Sequence, residues 1–110
     1  MLTVRLYMAQ RLTALIMAPL VIGHIAVMIY AVQNGLSAEE ILGRTKGSLA
    51  WGLFYGTFVV AVAIHAAIGF RVIAYEVFKL PEKALTPFTV LVFVTLFLMG
   101  MRAVLAVTLP

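Results

Sequence analysis

Three long stretches of the chain carry no ionised side chain: Leu12 to Ala38, Gly47 to Phe70 and Ala84 to Met101. A hydrocarbon core about 30 Å thick needs roughly 20 helical residues, so each stretch has the length of one membrane crossing. The balance of residues agrees: 65% are hydrophobic, only 11% are charged and mean hydropathy is +1.14. Soluble domains carry roughly a quarter charged residues, and here too little polar surface exists to coat a soluble globule. The expectation is therefore an all-α, integral membrane bundle of three transmembrane helices, over residues 7–33, 49–78 and 87–109. No repeat, linker or low-complexity tract divides it, so residues 1–110 read as one membrane-anchor domain. From Leu12 to Val32 the first apolar run is 21 residues, longer than a signal-peptide core of roughly 7–15, and it reads as retained.

The connections have their own signals. Gln33-Asn34-Gly35 closes the first helix, and Ser37-Ala38-Glu39-Glu40 reads as an N-cap with acids in the first turn of a short interfacial helix over 37–42. Lys79-Leu80-Pro81-Glu82-Lys83 forms the second connection, with Pro87 expected in the first turn of the last helix. Arg5, Arg11, Arg71, Lys79 and Lys83 fall on the N-terminal side, against Arg44, Lys46 and Arg102 opposite, which predicts a cytoplasmic N-terminus. Trp51, Phe54 and Tyr55, and at the other end Tyr7 and Tyr75, stand where interfacial aromatics belong.

The absence of cysteine excludes disulfides, thiolate metal sites and cysteine-ligated clusters. A net charge of +4 comes from singly scattered basic residues, which form no nucleic-acid patch. Two histidines remain as the chemistry-bearing groups inside the spans. At 1.5 Å per residue His24 lies roughly 20 Å beyond Arg11, and His65 roughly 16 Å before Glu76, so both read as near mid-bilayer. An ionisable residue at that depth is a functional candidate. No acid accompanies them to make a proton relay, whereas imidazole is a standard axial ligand of haem iron, so haem b is the expected cofactor. Similar depths would even permit one haem between the two histidines of this chain. The plainer alternative for each is an interhelical hydrogen bond.

Gly23, Ala61, Ala66 and Gly69 are small enough to lie beside a porphyrin, and Gly69 falls one turn after His65. Close helix packing explains the same residues equally well. Arg11 and Arg71 are candidates for haem propionates or a quinone carbonyl, against simple snorkelling. Thr13 stands three turns before His24, facing either the bundle interior or its own backbone carbonyl. Pro19 is expected to bend the first helix below His24. Arg102 either snorkels outward or meets the propionates of an outer haem, and Met8, Met17, Met28 and Met99 read as packing.

These residues resemble the cytochrome b membrane-anchor subunits of succinate dehydrogenase and fumarate reductase, respiratory complex II. Gln10-Arg11-Leu12-Thr13-Ala14 is similar to that family's HRxTG or HRxSG motif. His65-Ala66-Ala67-Ile68-Gly69-Phe70-Arg71, followed by Glu76, is similar to its HxxxGxR…D signature. The resemblance implies that His65 ligates haem b, with Arg11, Arg71 and Gly69 beside it and His24 as the helix-one ligand of two-haem members. It implies quinone contacts at Arg11, Tyr7, Thr13 and Tyr75. It further implies one or two haems, each shared with a histidine of a second membrane-anchor subunit, and docking of a flavoprotein and an iron–sulfur subunit at the cytoplasmic face. Such a chain is not catalytic alone, passes electrons to or from membrane quinone, and would reside in a bacterial or archaeal cytoplasmic membrane. Gln10, Ala14, Val72 and Glu76 depart from the motif histidine, glycine, histidine and aspartate. The rival readings are a small oligomeric transporter subunit with His24 and His65 along a polar path, and a haem-free structural anchor.

Overall fold

The computed structural model describes residues 2–110 as four helices: α1 (Val4–Asn34), α2 (Ala38–Thr45), α3 (Leu49–Glu76) and α4 (Glu82–Thr108). Among the described residues α1, α3 and α4 are long and apolar enough to cross a membrane, and no strand is present. The molecule is a rod of 48 × 22 × 22 Å, matching the length of helices that outspan a hydrocarbon core.

Each helix ends for a local reason. Thr3 caps α1 by accepting from the Leu6 N–H, and Gly35, at φ 133°, ends it in a backbone conformation that side-chain-bearing residues avoid. The chain passes through Pro19 without leaving the helix. Ser37 then opens α2 with a capping box: its hydroxyl accepts from the Glu40 N–H, and the Glu40 carboxylate accepts from the Ser37 N–H. The Ser37 hydroxyl also donates to the Glu40 carboxylate at 2.9 Å, and this bond, followed by the one from the Ser37 N–H and by Arg44 one turn on, holds the Glu40 carboxyl below its ordinary pKa. The short helix runs three residues further than expected, to Thr45.

Pro87 does not open the last helix. Pro81 occupies the N-cap with φ −68° and ψ 154°, Glu82 follows in the first turn, and Pro87 lies in the second. The Pro81 carbonyl already accepts from the Ala84 and Leu85 N–H groups, so the turn nucleates five residues before the proline that marks it in sequence. Glu82 also favours the positive end of the helix. At the other end of α4 the unsatisfied carbonyls of the last turn are taken up by the α2 side of the molecule. Thr45 Oγ1 donates to Val107 O at 2.7 Å and the Gly47 N–H donates to Thr108 O at 2.7 Å.

α3 is the central helix, packed between α1 and α4, which touch each other far less. A third of its most apolar window is buried, against 6% for α1 and α4. Its interior positions are small or flat-packed, with Ala61, Ala63, Ala67, Ile68 and Ala74 all buried. Lipid tails are as apolar as leucine, so association here depends on close approach rather than on exclusion of water. The tightest approach is at Gly100 of α4, where a Cβ would meet Val59 Cγ1 of α3 at 2.6 Å. The remaining surface of α1 and α4, Leu15, Ile22, Leu91 and Leu98 among it, faces outward and suits lipid or another membrane chain.

Candidate functional site

The antiparallel pairing of α1 and α3 sets Thr13 opposite His65. Thr13 is only 6% exposed, and its Oγ1 stands 3.2 Å from His65 Nδ1. The same oxygen lies 2.7 Å from the Ala9 carbonyl and 3.1 Å from that of Gln10, so Thr13 both faces the interior and bonds its own helix. Sequence left these as alternatives; a hydroxyl, with one proton and two lone pairs, does both. Nε2 of His65 has no hydrogen-bond partner among the described residues.

Gly69 stands one turn along α3 from His65, and the Gln10 amide nitrogen of α1 is 3.7 Å from where its Cβ would be. Gln10 Oε1 is buried without a hydrogen bond, an orphaned polar atom beside the glycine. Gln10 stands where the motif has histidine, and sequence reading treated it only as a departure. Gly23 serves packing, with the Phe54 ring 3.3 Å from its would-be Cβ. Of the other small residues, Ala61 is buried within the helix bundle and Ala66 is half-buried.

Arg71 points the other way, toward α4. Six residues on from His65, it turns about 240° around the helix and so cannot share the histidine's face. It is 5% exposed, pairs with Glu82 at 2.8 Å and donates to Thr89 Oγ1 at 3.2 Å. This excludes simple snorkelling and makes Arg71 a clasp between α3 and α4. Glu82 and Thr89 were missed from sequence; the visible signal was an acid placed directly after Pro81, one turn before Thr86 and two before Thr89.

His24 stands far from this cluster. It packs edge-on to Tyr55 and Phe58, with ring centroids 6.0 Å and 5.5 Å away. Eleven residues separate it from Thr13 along α1, an axial distance of about 16 Å, so the two histidines are not at one depth. The expectation of one haem held between them is therefore corrected: counting from Arg11 and Glu76 ignored the stagger by which α1 and α3 overlap. Nδ1 of His24 is buried without a partner, and the residue borders a cavity of about 370 Å³ lined also by Phe58, Val59 and Val104.

Arg11 is exposed, its guanidinium 6.0 Å from the Tyr7 ring centre, and among the described residues no carboxylate pairs with it. Tyr75 and Glu76 are exposed at the same end, and Arg102 is exposed at the other. A cavity of about 590 Å³ runs between α1, α3 and α4 past Leu12, Thr13, Gly56 and Phe97. It is nearly all apolar, and neither His65 nor Arg11 lines it.

A haem needs an imidazole nitrogen with a free lone pair, room beside it, and cations or donors for its propionates. Among the described residues His65 Nε2 has no hydrogen-bond partner and Arg11 no carboxylate, while the space beside Gly69 is bordered by the Gln10 amide nitrogen. Among the described residues no second imidazole stands at the level of His65, since His24 is about 16 Å along α1 from Thr13. Among the described residues no group of three metal-ligating side chains forms a further metal centre.

Residues 1–102 match the family model described as succinate dehydrogenase/fumarate reductase transmembrane subunit. No curated protein and no solved structure matches the chain significantly.

Proposed function

Because the chain belongs to the succinate dehydrogenase/fumarate reductase transmembrane subunit family, it is an integral membrane anchor of such a complex, and we propose that it is the haem-bearing, quinone-facing one. The observation that carries this reading is the His65 imidazole, tied through Nδ1 to Thr13 while Nε2 stays unpaired deep in an apolar span. Haem b, when bound, supplies one-electron storage and relay. His65 would hold it together with a histidine of the second anchor subunit, since His24 is about 16 Å along α1 from Thr13. His24, with its orphaned Nδ1, is the candidate ligand of a second haem.

At the same end of the rod Arg11 and Tyr7 present donors that no other described residue uses, and Tyr75 lies nearby in level. Arg11, charged at all relevant pH values, would stabilise charge developing on a quinone carbonyl and Tyr7 would orient it. The Thr13 hydroxyl, expected among these quinone contacts, also stands at hydrogen-bond distance from His65 and from its own helix. Flavoprotein and iron–sulfur subunits would dock at this end, with the N-terminus cytoplasmic in a bacterial or archaeal membrane.

The test is the dithionite-reduced minus oxidised visible spectrum of the purified complex, with haem quantified per protein. A b-type spectrum is expected, and His65→Ala should remove one haem equivalent. Full haem content in that variant would end the ligand assignment. Arg11→Ala should lower quinone reduction at least tenfold, about 1.4 kcal/mol of transition-state stabilisation, while dye reduction by the soluble subunits persists. Unchanged quinone reduction would remove Arg11 from the site.

A further inference from the structure

We infer that Thr13 is the positioning residue of His65: it selects the imidazole tautomer that leaves the lone pair on Nε2. The argument rests on counting protons. Ala9 O and Gln10 O are pure acceptors, 2.7 Å and 3.1 Å from Thr13 Oγ1, so the single hydroxyl proton is directed at them. The oxygen then has only lone pairs to offer His65 Nδ1 at 3.2 Å. That bond exists only if Nδ1 carries a hydrogen. In a neutral imidazole the other nitrogen, Nε2, is then unprotonated.

Three features make the selection effective. Thr13 is buried, so water does not compete for either bond. The hydroxyl is anchored to the rigid first half of α1, so its lone pairs keep their direction. No other described group hydrogen-bonds His65, so nothing opposes the choice. Free histidine in water prefers the opposite tautomer, with hydrogen on Nε2, which would block that nitrogen as a ligand. An acceptor on the far ring N–H also makes an imidazole a more basic ligand. Thr13 therefore both prepares Nε2 and tunes the donor strength of the ring.

The purpose of this selection rests on His65 being the haem ligand, whereas the tautomer itself does not, and the experiment separates the two. The full chain, labelled with 15N at histidine and reconstituted in lipid without haem, carries His65 as its one histidine once His24→Gln is made. The ring nitrogen shifts should report hydrogen on Nδ1. Thr13→Ser should preserve that pattern and Thr13→Val should lose it in favour of Nε2–H or a mixture. Hydrogen on Nε2 in the chain with Thr13 intact would overturn the inference without any variant at that position, as would an unchanged Nδ1–H pattern in Thr13→Val. In the assembled complex, Thr13→Val should raise the haem midpoint potential, because a less basic imidazole favours the ferrous state, and Thr13→Ser should restore it. A potential unmoved by Thr13→Val would overturn the tuning role. Haem retained in His65→Ala would strike the ligand reading and leave the tautomer result standing.

Discussion

At the scale of single residues, the two arginines nearest the N-terminal end of the rod have divided their work according to what stands opposite them. Arg11 projects outward and is free to meet a ligand, while Arg71 is buried and paired across the α3–α4 contact. The pair is uneven, since the Arg71 side chain is 6% exposed and that of Glu82 63%. Solvent screens the exposed partner, so the ion pair contributes about 1 kcal/mol at most, far below a fully buried one. Glu82→Ala should lower stability by about that amount in a denaturation titration of the detergent-solubilised complex. Arg71→Ala should cost more, about 2–3 kcal/mol, because Thr89 loses its donor and the α3–α4 seam loses a packed side chain. Equal losses from the two would show that burial of the guanidinium contributes nothing beyond the pair. His65, Arg11 and Gly69 were legible as candidates from residue type and spacing alone. The partners Thr13, Gln10, Glu82 and Thr89 were not legible as partners, because a hydrogen bond across helices depends on stagger and rotation, which spacing within one helix does not carry.

At the scale of elements, apolar runs and capping residues placed every helix, and the boundary displaced furthest, the start of α4, is instructive. Two prolines, Pro81 and Pro87, both fit a helix start, and the earlier one won because its carbonyl meets two N–H groups and Glu82 follows it. Near the end of a helix an interior proline costs less, since the lost bond lies beside the solvated first turn. How the elements pack was less visible: Gly100 reads as one more small residue in an apolar run, yet it admits Val59 of α3. Gly100→Ala should destabilise the α3–α4 contact by about 1–3 kcal/mol through overpacking, and Val59→Ala in the same chain should recover much of that loss. Thermal unfolding of the four members of this cycle measures the coupling. Additive losses would mean that the two helices relax apart without cost.

At the scale of the whole molecule, α3 is enclosed by its neighbours while α1 and α4 leave most of their surface to lipid or to other chains. This suits a subunit that packs against another membrane chain, and under the proposed haem reading that chain would supply the histidine this one lacks at the level of His65. With three crossings the ends of the chain emerge on opposite faces. Reporter fusions should place the N-terminus with Arg5 and Arg11 on the cytoplasmic side and Pro110 outside, following the basic side chains of the connections. The opposite result would move the proposed quinone end, and the docking of soluble subunits, to the other face of the membrane. The sequence alone determined that this protein crosses a membrane three times and which residues lie within the crossings, because these follow from length and hydropathy along one axis. Only the tertiary structure decided that His24 lies about 16 Å along α1 from the Thr13–His65 contact and that Thr13 faces His65 while Arg71 faces α4. Those outcomes depend on the axial slide and rotation of one helix against another, set by side-chain packing over the whole contact.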